Sequence, residues 1–201
     1  MIVVDILVYD GVDEMDAMGP FEVLKVAADL GAPFTVRLVS VEESQTDIKG
    51  SHGLLFKTDT CFTPGNQNAL IVCGGSWLSR KETGAYAEYR KGTVLEKLKR
   101  AHQLGVMLMS VCTGAMLLAH AGVIQKRKMT SHHSVLHELI QLGFNAVHEK
   151  VVDDDGLITA GGVTSSLDLG LYLVEKWTSK ECRIQVQTFL EYDYKNDVFI
   201  S

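Results

Sequence analysis

The sequence lacks the features that mark several large classes of protein. Its 201 residues contain only four cysteines and no C-x-x-C pair, so the clustered ligand spacing of a zinc site is missing. The formal net charge is −6 and basic residues form no long run, so nucleic acid is not an expected partner. No apolar run approaches the roughly 20 residues of a membrane-spanning helix, and no membrane contact is expected.

The amino terminus also lacks the pattern of a signal peptide. Residues 1–8 have neither a basic leader nor a small-residue cleavage site, and their apolar, β-branched character predicts a first strand instead. A chain of this length with 46% hydrophobic and 22% charged residues fits one globular domain spanning residues 1–201. Without a secretory signal, all four cysteines are expected as unpaired thiols in a cytoplasmic protein.

Short apolar runs alternate with longer amphipathic stretches along the chain. The clearest strand patterns, typical of strands buried on both faces, cover residues 3–9, 34–41, 69–73 and 106–111. Shorter strands are predicted at 54–57, near Cys61, and at 128–131, 146–152 and 157–159, with a hairpin turn at 153–156. Helices are predicted at 19–31, 93–104, 113–121, 134–142, 165–177 and 179–192. This alternation predicts an α/β fold with a mainly parallel sheet and helices on both faces.

Three groups of residues follow predicted strands: Gly74-Gly75, Cys112-Thr113-Gly114 and Gly161-Gly162. Ligands of parallel sheets bind at the carboxyl ends of the strands, so these groups mark a candidate site. Paired glycines let a backbone approach a ligand closely, although a plain tight turn at Gly74-Gly75 is equally compatible with the sequence.

Cys112 lies between a buried strand and a helix of small and apolar residues. This is the arrangement of a nucleophile elbow, with cysteine in place of serine. The positive end of the helix and its unpaired N–H groups favour a thiolate and can hold developing negative charge on a substrate. The alternative is an inert core thiol, since cysteine is often buried. The position at the strand–helix junction favours a nucleophile.

A reactive thiol needs an acid–base partner, and two residues are candidates. Asp16 ends the acidic segment 10–16, which follows the first strand, and could instead serve only as a helix cap. His132 follows the predicted strand 128–131 and is expected at the same sheet edge as Cys112. A lone histidine is nevertheless more often structural than catalytic.

The chain resembles the ThiJ/PfpI superfamily, and within it the isonitrile hydratase branch. The resemblance rests on six segments in order along nearly the whole chain: 15–24, 73–75, 110–119, 121–124, 130–132 and 157–164. The combination of Asp16-Ala17-Met18-Gly19-Pro20 with Cys112-Thr113-Gly114 is specific to this branch.

The resemblance implies a flavodoxin-like three-layer sandwich, of the class I glutamine amidotransferase-like type, that forms a homodimer and needs no metal or organic cofactor. It implies that Cys112 is the nucleophile and Asp16 the acid. Backbone N–H groups of Gly75 and Thr113, next to Gly74, would hold a small-molecule substrate, and the turn from Gly161 to Val163 would position Asp16. The implied reaction is that of a hydro-lyase, which hydrates an isonitrile through a thioimidate on cysteine to an N-substituted formamide.

Several positions depart from the superfamily pattern. Thr113 stands where the peptidase-like branch has histidine, which argues against peptidase chemistry. His132 matches a histidine of other members, but His133 replaces the aromatic residue common in this branch, and Ala160 replaces a common glycine. Two alternatives therefore stay open: a glyoxalase or deglycase-like enzyme acting on reactive aldehydes, or a non-catalytic sensor that oxidises Cys112 or binds a ligand there. A transcriptional regulator is not expected, because no helix-turn-helix pattern follows the last predicted helix.

Overall fold

A computed structural model describes residues 1–124 and 127–200 of the chain. In chain order the described strands are β1 (Ile2–Val8), β2 (Phe34–Ser40), β3 (Asp47–Lys49), β4 (Leu55–Lys57), β5 (Thr60–Cys61), β6 (Ala69–Val72), β7 (Met107–Val111), β8 (Lys128–Met129), β9 (Asn145–Ala146), β10 (Val151–Asp154), β11 (Leu157–Ala160) and β12 (Val198–Ile200). The helices are α1 (Glu14–Asp29), α2 (Ala85–Lys91), α3 (Thr93–Gln103), α4 (Gly114–His120), α5 (Leu136–Gln141), α6 (Ser165–Trp177) and α7 (Lys180–Phe189), with a 3-10 turn at His133–Val135.

The main sheet has the strand order β12-β10-β11-β7-β6-β1-β2-β5. Its neighbours run parallel except for the hairpin of β10 and β11, which is antiparallel as the turn signal at 153–156 predicted. The central strands β6 and β1 are buried almost throughout, because helices cover both faces of the sheet. The carboxyl ends of β6 and β7 therefore lie side by side.

Six of the described helices fall into two groups. Helices α1, α6 and α7 contact one another, and α2, α3 and α4 form a second mutually contacting set. The resulting sandwich confirms the predicted α/β fold, and the described cysteines are unpaired thiols, as expected. Within residues 1–124 and 127–200, every helix is too short or too polar to cross a lipid bilayer.

Helix α1 begins earlier than predicted. The expected start at Gly19-Pro20 is wrong, because Asp13 caps the helix: its carboxylate accepts the Met15 N–H at 3.1 Å. Pro20 consequently lies inside the helix, and Asp16 belongs to its first turn. The interpretation of Asp16 as the helix cap is therefore excluded.

The strands near the edges also differ from the prediction. Strand β8 covers only Lys128–Met129 and pairs with β9 in a separate two-stranded sheet, so His132 does not follow a strand of the main sheet. The single strand predicted at 146–152 is divided between β9 and β10. Strands β3 and β12 were not predicted, since three-residue strands carry almost no periodic signal.

Candidate active site

The turn at Cys112 holds a cysteine in a conformation that is rare for residues other than glycine. Cys112 has a φ of 56° between the end of β7 and the start of α4. Its N–H donates to the carbonyls of Ala160 at 3.1 Å and Gly161 at 2.8 Å, and its carbonyl accepts the Ser131 hydroxyl at 2.7 Å. These hydrogen bonds fix the backbone on both sides of the side chain. The predicted turn, with Cys112 between a strand and a helix, is thus present.

Two glycines allow the ends of β6 and β7 to approach closely. A Cβ on Gly114 would overlap the carbonyl of Val72, and a Cβ on Gly74 would lie 2.5 Å from the Thr113 nitrogen. Any side chain at these positions would push helix α4 away from the end of β6. The glycines therefore set how near the Cys112 turn lies to the loop that follows β6.

The Asp16 side chain extends from α1 to the loop that follows β6, and it is completely buried. One carboxylate oxygen, Oδ2, accepts the Gly74 N–H at 3.0 Å, whereas Oδ1 has no hydrogen-bond partner among the described residues. Burial raises the pKa of Asp16 well above its usual range, and the Asp13 carboxylate adds to the rise. The Gly74 amide, the Cys112 thiol and the Val163 amide partly oppose it. Asp16 is therefore suited to hold and deliver a proton.

The Cys112 thiol is also buried, with 5% of the residue exposed. Burial raises its pKa and the charge of Asp16 raises it further, while the amides of Thr113 and Val163 lower it. The expectation that the helix start alone would favour a thiolate is thus outweighed by burial. A proton on Asp16 removes the repulsion from that carboxylate, so the two groups titrate as a coupled pair.

The predicted substrate-binding amides lie next to this pair. The Gly75 N–H donates to the Thr113 hydroxyl at 3.0 Å, so a substrate atom would have to replace that hydroxyl. Gly75 has a φ of 125°, and a Cβ on it would lie 2.5 Å from the Asp13 nitrogen and the Gly11 carbonyl. The Asp13 N–H in turn donates to the Gly74 carbonyl at 3.1 Å. The glycine loop is thereby joined to the segment that leads into α1.

The turn from Gly161 to Val163 contacts both the Cys112 thiol and the Asp16 carboxyl group. Val163 has a φ of 41°, an unfavourable value for a β-branched residue, and its amide lowers the pKa of both Cys112 and Asp16. The carbonyl of Gly161 anchors the Cys112 amide, as described above. The structure therefore brings Gly161 and Val163 to the predicted pair.

His132 lies beside this turn and makes no hydrogen bond to Cys112 among the described contacts. Its ring packs against Gly162 and lies 4.5 Å from the ring of His133. The Ser134 amide donates to its Nδ1 at 3.3 Å, which leaves the proton of the neutral ring on Nε2. Burial and the neighbouring His133 lower the pKa of His132. His132 is thus a neutral neighbour of the turn.

Two residues that sequence reasoning had not singled out complete the site. Ser131 holds the Cys112 carbonyl, and nothing in the local pattern marks it for that purpose. Asp13 caps α1, and its charge raises the pKa of Asp16, Cys112 and Cys73. An aspartate immediately before an amphipathic run is a helix-start signal that could have identified it.

Two cavities meet at Val163. One, of about 490 Å³, lies beside the first turn of α1 and is lined by Asp13, Glu14, Met15, His52, Leu54 and Val163. The other, of about 840 Å³, lies across the 161–163 turn and includes His132, His133 and His148. Either provides room for a small molecule near Cys112.

One group of possible metal ligands occurs in the described part of the chain. Single ligand atoms of Asp13, Glu14 and His52 lie within 4.8 Å of one another. The Glu14 carboxylate, however, already accepts the His52 N–H and contacts its Nδ1, both at 2.8 Å. These contacts show that the cluster anchors the β3–β4 loop to the start of α1.

Comparison with known proteins identifies the family of the chain. The sequence profile described as the DJ-1/PfpI family matches residues 3–176. The chain belongs to the DJ-1/PfpI family. This confirms the resemblance to ThiJ/PfpI proteins, and the curated relatives of this DJ-1/PfpI chain include enzymes.

Three relatives illustrate the range of the family. The isonitrile hydratase of Pseudomonas putida is 28% identical over 187 residues, covering 92% of this chain and 76% of that protein. The deglycase PfpI of Pyrococcus furiosus is 27% identical over 116 residues, covering 56% of this chain and 66% of that protein. The crystal structure of a ThiJ/PfpI family protein from Pseudomonas syringae superposes with a TM-score of 0.81 at 26% identity, covering 95% of this chain and 75% of that one.

Proposed function

We propose that this DJ-1/PfpI protein is a cysteine-dependent hydro-lyase that hydrates an isonitrile to an N-substituted formamide. The observation that supports it most is the burial of Asp16, with its raised pKa, beside the Cys112 turn. A thiol nucleophile and a buried carboxyl group that can take up and deliver a proton are the two groups this hydration needs. Similarity to an isonitrile hydratase across 92% of the chain agrees with the proposal.

The first step joins the substrate to the enzyme. The sulfur of Cys112, with its proton transferred to Asp16, attacks the terminal carbon of the isonitrile and forms a C–S bond. The Asp16 carboxyl delivers its proton to the same carbon, and the product is a thioimidate with a C=N double bond. The amides of Thr113 and Val163 hold the thiolate before attack, since both favour its charged form.

The second step releases the product. The Asp16 carboxylate removes a proton from water as the water oxygen adds to the thioimidate carbon, and the Asp16 carboxyl then passes this proton to the substrate nitrogen. The tetrahedral intermediate then breaks its C–S bond as its hydroxyl proton passes to the departing sulfur, which restores the Cys112 thiol and gives the formamide. The sum is one isonitrile and one water converted into one N-substituted formamide.

A deglycase-like activity is the second candidate. It is favoured by the relative named deglycase PfpI, although that similarity covers 56% of the chain, compared with 92% for the hydratase. Both reactions would use the Cys112 thiol and Asp16. The distinction therefore depends on which electrophile the site accepts.

The deciding experiment measures formamide formation from a simple alkyl isonitrile, with wild type and Cys112→Ala compared. Turnover by the wild type alone supports the hydratase. Equal turnover by the variant contradicts the nucleophile assignment. Absence of formamide combined with Cys112-dependent consumption of an aldehyde such as methylglyoxal would favour the deglycase, and absence of both reactions would favour the sensor.

We further propose that the protein acts on a small molecule as a homodimer. The basis for this second proposal is the family resemblance described above. Sedimentation or light scattering would test the assembly, with twice the chain mass of 22.1 kDa as the expected result. A monomeric mass at micromolar concentration would contradict it.

A further inference from the structure

The smaller cavity lies beside the first turn of α1, the helix that carries Asp16. It has a volume of about 490 Å³, and its walls include Asp13 and Met15 from the start of α1, the helix that carries Asp16. Val163, which contacts the Cys112 thiol through its amide, forms another wall. A substrate carbon that must meet both Cys112 and Asp16 therefore has room for its substituent here.

The larger cavity is less suited to this purpose. It lies across the turn that contains Gly162 and is lined by His132 and His133, with no residue from α1. A substrate bound there would have no residue of α1 beside it, and α1 is the helix that carries Asp16. The proton delivery of the proposed reaction consequently favours the smaller cavity.

The outer wall of the smaller cavity is apolar and held in place. Met15 and Leu54 are 39% and 51% exposed and face the same space. The Glu14 carboxylate accepts the N–H groups of His52 at 2.8 Å and Leu54 at 3.4 Å, which ties the β3–β4 loop to α1. Leu54 is thus presented at a fixed place in the wall.

The charge of this cavity is predominantly negative. Asp13 and Glu14 contribute carboxylates, and His52, whose pKa is raised by its hydrogen bond to Glu14, can offset only one of them. The Asp13 charge acts on both Asp16 and Cys112. An anionic substituent entering this space would meet repulsion close to the reacting groups.

We propose that the smaller cavity selects substrates with an uncharged, apolar substituent and excludes those that carry a carboxylate, with Asp13 and Leu54 as specificity-determining residues. This inference rests on the proposed function for the identity of the electrophile. The selection by charge and polarity does not depend on the proposed function, because any reagent that reaches Cys112 from this side meets the same wall.

Alkylation of Cys112 tests the charge selection without isonitrile chemistry. Iodoacetamide and iodoacetate are nearly the same size and differ by one negative charge. Their rates would be measured by mass spectrometry of the Cys112 peptide and divided by the rates for 2-mercaptoethanol. We expect the normalised preference for iodoacetamide to be at least about tenfold, as estimated for one repulsive charge within roughly 8–10 Å at an effective dielectric constant near 20.

Asp13→Asn should reduce this preference several-fold, because asparagine caps a helix as well as aspartate but carries no charge. The matched control is Asp29→Asn, which removes a carboxylate from the exposed far end of the same helix and should leave the preference unchanged. A normalised preference near one in the wild type, or equal effects of the two variants, would overturn the charge selection.

Hydration kinetics test the apolar wall and separate the two proposals. Leu54→Ala should lower kcat/KM for pentyl isonitrile several-fold more than for methyl isonitrile, whereas Leu30→Ala, a similarly exposed leucine at the end of α1, should affect both equally. Equal effects of Leu54→Ala on the two substrates would overturn the role of Leu54. If no isonitrile is hydrated but the alkylation preference holds, the charge selection stands and the proposed reaction alone is wrong.

Discussion

Cys73 and Cys112 follow neighbouring parallel strands, β6 and β7, and both are buried, yet their surroundings differ. Burial and the charge of Asp16 raise the pKa of both thiols. At Cys112 the amides of Thr113 and Val163 oppose the rise, whereas at Cys73 the charge of Cys112 adds to it. Burial at a strand end is therefore not enough to make a nucleophile.

The backbone explains the difference. At Cys112 the chain turns with a positive φ directly into helix α4, and this turn brings amide donors to the sulfur. At Cys73 the chain continues into the glycine loop, and the Cys73 carbonyl accepts the Tyr9 hydroxyl at 2.5 Å. The comparison teaches that donors placed by the turn, rather than position at the sheet edge, distinguish the two thiols.

The largest expected effect comes from exchanging the two thiols for hydroxyls. Cys112→Ser should lower formamide production by at least about 10³-fold, since a serine hydroxyl is a much weaker nucleophile without a strong base. Cys73→Ser should retain turnover within a few-fold. Steady-state rates, with circular dichroism to verify folding, would measure both. Comparable losses in the two variants would remove the distinction between the thiols.

Asp16→Asn should lower turnover by about 10²- to 10⁴-fold, the range for loss of a general acid. It should also change the pH dependence of stability. Because the folded pKa is raised, the wild type binds this proton more tightly when folded, so its stability relative to the variant falls as pH rises above the ordinary value near 3.8.

Urea unfolding of the wild type and Asp16→Asn at pH 5 and pH 8 would test this direction. The variant should gain stability relative to the wild type at the higher pH. A constant difference between the two proteins would show that the carboxyl is not perturbed by burial. Cys112→Ser, measured in parallel, controls for the coupled thiol.

Gly74→Ala should push the carboxyl end of β6 away from the Cys112 turn at the end of β7. Its Cβ would lie 2.5 Å from the Thr113 nitrogen, and relieving that overlap should cost about 1–3 kcal/mol in the free energy of unfolding and lower turnover. Gly31→Ala is the control, because Gly31 has a φ of 96° and open space around it. It should reduce stability through its backbone conformation but preserve activity. Retained activity in both variants would show that the close approach is unnecessary.

The smallest effect is expected for Ser131→Ala. It removes the hydroxyl that donates to the Cys112 carbonyl, a hydrogen bond worth about 1 kcal/mol. Turnover should fall a few-fold, and Ser131→Thr should restore most of it by supplying a hydroxyl again. Failure of threonine to rescue would indicate that shape, and not the hydrogen bond, matters at this position.

Much of the central fold could be predicted because local patterns specify it. The buried runs gave β1, β2, β6 and β7 within one or two residues, and α6 was predicted with its observed bounds. The start of α1 was missed because Gly19-Pro20 resembles a helix start, while the true cap, Asp13, lies in an acidic segment with several candidates. Pro20 lies inside α1 and is buried.

The sequence by itself determined the order of the central strands and the longer helices, the cysteine at the strand–helix junction and the acidic segment after the first strand, because each depends on residues close together in the chain. Only the tertiary structure decided that Asp16 accepts a hydrogen bond from the amide of Gly74, 58 residues away. The same is true of the hydrogen bond from the Ser131 hydroxyl to the Cys112 carbonyl. The tertiary structure also decided that the charge of Asp13 raises the pKa of Cys112, and that His132 makes no hydrogen bond to the thiol among the described contacts. These relations depend on how closely distant segments pack and how much water they exclude, and no local pattern encodes either quantity.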